Sequence, residues 1–422
     1  MNRQRVRAQR SMFGGAAVAA TGFFAGIAVA PLAAQDLTGG VALSGLPGAM
    51  GIIGTALGAS LVSLVLRRRG RRAGLTVGYV IGLLGAAIAG GSLRLGSFPL
   101  LLVGSALFGI GHAATQLTRY VVADLHQPDE RGRALGWIVW AGTIGGVVGP
   151  NLLAVTGRAA EAAGQPELSG PYMVGVAAML LVAVAYQVAL RPDPGTLVVD
   201  EAPDVEPDVG AEVQPDVGAV AQEPVVRSAW RLPVVQVAIA VMLTGQVVMV
   251  WLMAMTPVHI RESGGDLSRI GMILSAHIFG MYALAPLAGW VEDRFGSLRA
   301  IGVAMSVLAL AAVLAASAPV GGVAMAAALF LLGVGWSFGF VAGSTMLARG
   351  VPIGIRAAVQ GRVETAVWLA SAVASLGAGL LLDLVGYVGL CSLALVALAL
   401  PITFVIRQRH RLAAVPAPVP AI

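Results

Sequence analysis

The sequence has no lysine, and its only thiol is Cys391; all 27 basic residues are arginine. Without lysine there is no phosphate-binding loop of the G-x-x-x-x-G-K-[ST] kind, so ATP-driven work by this chain alone has no visible machinery. A single cysteine rules out an internal disulfide and any cysteine-based metal or redox centre. Charge is scarce as well. Charged residues make up 11% of the 422 positions, against roughly 25% in soluble domains, while 57% are hydrophobic and mean hydropathy is +0.85. No H-E-x-x-H pattern and no paired carboxylates interrupt the apolar runs, so no catalytic residue, metal site or cofactor is expected and the chain does not read as an enzyme.

What is present is a series of apolar runs of about 20 residues, the length that spans a hydrocarbon core roughly 30 Å thick. The runs are continuous rather than alternating, which fits helices and not barrel strands. Glycine is plentiful (56 residues) and lies inside the runs, where small residues let helix backbones approach closely in lipid. The first run imitates a secretory signal with its Arg-rich start and Ala33-Ala34 exit, but its apolar stretch of about 24 residues is longer than the usual 7–15, so it reads as an uncleaved first helix.

One long stretch could not sit in hydrocarbon. Residues 191–232 separate an N-terminal bundle over 1–190 from a C-terminal bundle over 233–406, with a tail over 407–422. Within that stretch a Pro-Asp-Val unit begins at Pro203, Pro207 and Pro215 among many carboxylates and no aromatic residue, so it reads as an acidic, disordered linker. Six spans are expected on each side of it. Alternate connections collect Arg67, Arg68, Arg69, Arg71 and Arg72, then Arg131 and Arg133, Arg294 and Arg299, and Arg349, Arg356 and Arg362. The opposite connections hold Arg94, Arg158, Arg261 and Arg269. The positive-inside rule then puts both termini and the linker in the cytoplasm of a multi-pass plasma (inner) membrane protein. The net charge of +6 is thus a topology signal, and no nucleic-acid partner is expected.

Four stretches carry a family resemblance. Gly289-Trp290-Val291-Glu292-Asp293-Arg294-Phe295-Gly296, followed by Arg299, is similar to the G-x-x-x-D-R-x-G loop motif of the major facilitator superfamily. The corresponding first-half loop, Ser63 to Gly70, keeps the spacing but has Ser63 for the glycine and Arg67 for the aspartate. Ala123-Asp124-Leu125 with Glu130-Arg131-Gly132-Arg133 also resembles the family, and Gly145-Gly146-Val147-Val148-Gly149-Pro150 is similar to the core of its antiporter-type fifth-span motif. The basic residue usual in the fourth span is replaced by Ser105. The resemblance implies an all-α fold of twelve transmembrane helices in two six-helix bundles, working as a monomer. It also implies a cytoplasmic latch at Gly289, Asp293, Arg294, Gly296 and Arg299, and a hinge at Gly145, Gly149 and Pro150. Five arginines with no local carboxylate make the first-half loop an electropositive collar rather than a latch.

Polar groups near mid-membrane are expensive and therefore candidates for a binding site. His112, Gln246 and His277 fall near the midplane of the fourth, seventh and eighth spans. Either histidine could carry a coupling proton, or sit neutral and donate to a backbone carbonyl. Met242, Gln246, Met249 and Met253 share one helix face, as do His277 and Met281. Such a stripe reads as helix packing, as an adaptable apolar pocket, or as a thioether site for Cu(I). The expected function is secondary transport of a small molecule across the lipid bilayer, proton-coupled efflux first, with metabolite uptake and a non-transporting sensor or scaffold as rivals.

Overall fold

The structure, a computed structural model, describes residues 3–126, 131–197 and 227–413. Among the described residues there is no strand. In a chain this apolar, a helix satisfies its own backbone polar groups and leaves none facing lipid. The first half contains α1 (Arg3–Thr38), α2 (Leu46–Arg69), α3 (Arg71–Leu95), α4 (Phe98–Ala123), α5 (Arg131–Asn151), α6 (Leu153–Ala162) and α7 (Ser169–Ala189). The second contains α8 (Pro233–Glu262), α9 (Leu267–Ala283), α10 (Ala285–Phe295), α11 (Ser297–Ser317), α12 (Val323–Gly350) and α13 (Ile353–Ala413).

Ten helices are long and apolar enough to cross a membrane, and the α5–α6 pair, bent by 47°, adds an eleventh. The 51-residue apolar stretch of α13 is broken at Gly386 (φ 69°, ψ 177°) into two helices, each long enough to span a bilayer, and counting them separately gives the twelve expected. α9 and α10 form one crossing, Leu267–Phe295. Gly70 (φ 91°, ψ 165°) and Gly296 (φ 82°, ψ 161°) turn the chain at corresponding places in the two halves, in a region of backbone space open essentially to glycine alone.

Each half repeats the same neighbours. α4 packs on α2 and α3, and α12 packs on α9 and α11 in the same way. Small residues make the approach possible: Gly109 lies against the Gly51 carbonyl across α4 and α2, and Gly333 lies against the His277 carbonyl across α12 and α9.

The halves meet through α2 with α13, α5 with α9, α1 with α8 and α6 with α9. Those contacts gather at the end away from the arginine-rich loops. Asn151 Nδ2 donates to Ser275 Oγ (2.7 Å), Ser275 Oγ donates to the Val147 carbonyl (2.8 Å), and Ser375 Oγ donates to the Gly45 carbonyl (2.8 Å). At the helix ends Gln35 donates to Glu262 (3.0 Å) and Arg261 pairs with Asp36 (3.0 Å).

The stretch expected as linker is ordered at its start. Asp193 accepts from the backbone N–H groups of Arg71 (3.1 Å) and Arg72 (2.9 Å), and Arg5 Nε donates to the Leu197 carbonyl (2.9 Å). The Pro-Asp-Val repeats lie outside the described residues. So does the end of the tail, because α13 runs through to Ala413 rather than stopping near 406.

Candidate functional site

Counting about 1.5 Å of rise per residue places a belt of side chains at one depth, about 20 Å from the helix ends at the sealed side. Phe23 of α1, His112 of α4, Tyr282 of α9 and Trp336 of α12 are all in it, and Gln246 of α8 lies about 24 Å from the same side. The belt has two parts, one in each half. In the first half the His112 ring stacks on Phe23 (centroids 3.9 Å apart, interplanar angle 12°), with Phe24 edge-on at 6.3 Å. His112 is half-buried, and its Nδ1 is buried with no hydrogen-bond partner. In the second half Trp336 Nε1 donates to Gln246 Oε1 (2.7 Å), Trp336 stacks on Phe340 (5.2 Å), and Tyr282 meets Trp336 edge-on (6.4 Å).

Met249, Met253 and Met281 gather with Trp336, Trp251 and Ala374 in a small apolar cluster, which touches the main core through Trp251 and Met253. The structure therefore brings Gln246 and these three methionines into one region, from α8 and α9. His277 is elsewhere: it is fully buried, and its Nδ1 donates to the Leu329 carbonyl of α12 (2.9 Å), tying α9 to α12. A carbonyl only accepts, so that nitrogen carries the proton. Among the described residues no three His, Cys, Asp or Glu side chains come together as a metal site.

At the arginine-rich end the second-half loop is an ion-paired knot. Arg349 of α12 donates through Nη1 to Glu292 (3.1 Å) and through Nη2 to Asp293 (3.0 Å), and Ser297 Oγ donates to Glu292 (2.7 Å). Gly289 faces open space, and Gly296 supplies the turn. Arg294 and Arg299 are exposed and form no ion pair among the described residues. Glu292 and Arg349 were legible only as loop charges in the sequence; their pairing depends on how α10 and α12 rotate.

The first-half loop corrects the expectation of a collar without carboxylates. Arg71 Nη2 pairs with Asp124 at the end of α4 (2.7 Å), and Asp193 receives the backbone N–H groups that begin α3. The acids come from 53 and 122 residues away, beyond any local reading. Both halves thus pair the loop after the second crossing with the end of the fourth, with the signs exchanged.

On α5, Gly145 lies against the Ala17 carbonyl and Gly149 against Thr21, so both glycines seat α5 on α1, and Pro150 precedes the 47° bend into α6. Gly335-Trp336-Ser337-Phe338-Gly339 has the spacing of a hydrolase nucleophile turn. It runs inside continuous α12 with Ser337 buried, so no strand-to-helix elbow presents that hydroxyl.

Comparison with known proteins agrees with this architecture. The profile of the Major Facilitator Superfamily matches residues 12–264 and 237–421. The uncharacterized MFS-type transporters YdeG and YddS of Bacillus subtilis (strain 168) are each 33% identical, over 95% of this chain and 90% of YdeG, and over 86% of this chain and 80% of YddS. The riboflavin transporter RfnT of Brucella anthropi is 25% identical over 86% of this chain and 85% of its own. Among solved structures, a bacterial homologue of the human lysosomal transporter Spinster, inward-facing and occupied, superposes with a TM-score of 0.72 at 13% identity, covering 99% of this chain and all of that one. The chain is a multi-pass membrane protein that belongs to the major facilitator superfamily.

Proposed function

We propose that the protein is a secondary transporter of the plasma membrane that exports a small organic compound by alternating access in exchange for protons, with its arginine-rich loops and both termini in the cytoplasm. The observation that carries this reading is one-ended closure. Among the described residues, hydrogen bonds between the halves gather at the end away from the arginines, whereas the ion pairs at the arginine-rich end stay within each half. With the arginines inside, this is the inward-open state, and rocking the halves would exchange the sealed end.

His112 is the better candidate of the two histidines for the coupling proton. It is half-buried in the belt, whereas His277 is fully buried away from it and held by the Leu329 carbonyl; each ring keeps one nitrogen without a partner. The reading is tested by following the pH gradient of everted vesicles while lipophilic cations, aromatic organic anions, neutral drugs, amino acids, sugars or riboflavin are added. Gradient collapse with one class and its loss in His112→Ala are expected; no response to any of them from folded protein sinks proton-coupled export. The relationship to a riboflavin transporter favours one further reading, uptake of a flat heterocycle. Accumulation of labelled riboflavin by whole cells, with no gradient collapse in vesicles, would select it. Deleting residues 200–226 separates both readings from a sensor docked through the linker, because transport is expected to survive the deletion.

A further inference from the structure

We infer that the transported molecule is an organic anion with a flat aromatic body, whose charge is received by Arg119 and whose ring is received by the belt of Phe23, His112, Gln246, Tyr282 and Trp336. The inference rests on the transport reading above and names the substrate class for that site.

Arg119 lies on α4, seven residues beyond His112 and so on the same helix face, about 10 Å toward the open end. Among the described residues no carboxylate lies within ion-pair distance of it. Its Nη2 donates to the neighbouring Tyr120 hydroxyl (3.1 Å), and its guanidinium covers that ring (4.9 Å). Its Nε is buried with no partner. A cation inside a membrane span is ordinarily paired within the protein or faces a pathway. Among the described residues no counter-charge is supplied here, although Arg71, Arg261 and Arg349 each have one. The guanidinium keeps an unused edge of the kind that takes a carboxylate or phosphate through two hydrogen bonds.

The chemistry two turns deeper is of another kind. The Phe23–His112 stack lies on one half and the Trp336–Phe340 stack on the other, with Tyr282 edge-on and a single amide, Gln246, among them. Ring faces in both halves at one depth and one amide suit a planar aromatic group and not a sugar, which would leave its hydroxyls unpaired. The distance between belt and guanidinium sets the shape: a ring at the midplane and an anionic group on the side facing the open end.

The test is isothermal titration of lipid-free protein in neutral detergent with 2-naphthoate and its neutral isostere 2-naphthamide. It needs no gradient, so it is independent of proton coupling and of direction. Wild-type protein is expected to prefer the carboxylate at least tenfold. Arg119→Gln should bring the preference close to unity, Arg119→Lys should keep the charge-dependent part of it but fall below wild type, and Arg158→Gln at the sealed end should leave it as in wild type. Trp336→Leu should weaken both probes together. Equal binding of the two probes by wild-type protein, an undiminished preference in Arg119→Gln, or no binding of either by folded protein overturns the inference. A last arm separates a soluble anion from a lipid headgroup: if phosphatidylglycerol displaces naphthoate from wild-type protein, Arg119 belongs to the membrane surface and the inference falls. Failure of the pH-gradient experiment with success here would remove the proton and keep the anion.

Discussion

Arg349 bridges two carboxylates of unequal standing: the Glu292 side chain is 2% exposed and the Asp293 side chain 74%. An exposed ion pair contributes about 0–1 kcal/mol, whereas leaving a buried acceptor without its donor costs about 1–3 kcal/mol. Arg349→Ala is therefore expected to destabilise the protein chiefly through Glu292. Adding Glu292→Gln should recover part of the loss, and Asp293→Asn alone should cost less than about 1 kcal/mol while slowing transport. Thermal unfolding in detergent, read beside transport, checks this; a larger stability loss in Asp293→Asn than in Arg349→Ala would reverse the assignment. The motif pointed to Asp293 and passed over its neighbour because adjacent helix positions differ by about 100° in direction, and sequence does not fix which one turns inward. The same limit hid Arg119, which was legible as a charge near the end of a span and not as one left without a partner.

At the scale of elements, the two glycines of the second-half loop motif separate. Gly296 holds a positive φ at the α10–α11 turn, while Gly289 sits mid-helix facing open space. Gly296→Ala is expected to cost about 1–3 kcal/mol, and Gly289→Ala to be neutral or stabilising by up to about 1 kcal/mol. If Gly289→Ala keeps its stability but stops transport, that glycine serves the state in which the open end closes. The exchanged signs of the two loop pairs make a second prediction. Arg71→Asp should impair transport, and adding Asp124→Arg should restore it, because the pair needs opposite charges rather than a given order. Failure of the double variant to recover, with folded protein, would make the Arg71–Asp124 pair incidental. The twelve crossings and the turn at Gly296 were legible because hydropathy and glycine act locally. The first-half pairing was not, because its acids arrive from α4 and from the residues after α7.

Across the whole molecule, the sealed end is held by interactions small enough to break. Hydrogen bonds between helices in membranes contribute about 0.6 kcal/mol each on average, and the Arg261–Asp36 pair is partly exposed. That suits two halves that must part. Glu167, in the connection between α6 and α7, lies at this end. Burial and then the charge of Glu161 raise its carboxyl above the ordinary value of 4.5; Arg261 opposes the shift, and Asp36 and Asp266 add to it. Leu267 of the opposite half packs beside Glu167 at Gly157, so parting the halves returns water to the carboxyl and relieves the largest cause of the shift, while the losses of Arg261 and Asp266 oppose each other. The closed end then binds protons more tightly than the open one. Closure should be favoured as pH falls from neutral toward the ordinary carboxylate value, and this advantage should fade above the raised value, where Glu167 is ionised in both states. Spin labels on Ala163→Cys and Val323→Cys, on opposite halves at the sealed end, would report the distance by pulsed electron resonance. Acidification should shift the population toward the short distance, and Glu167→Gln should hold it there with less dependence on pH. An unchanged pH response in Glu167→Gln would move the linkage to another group at that end.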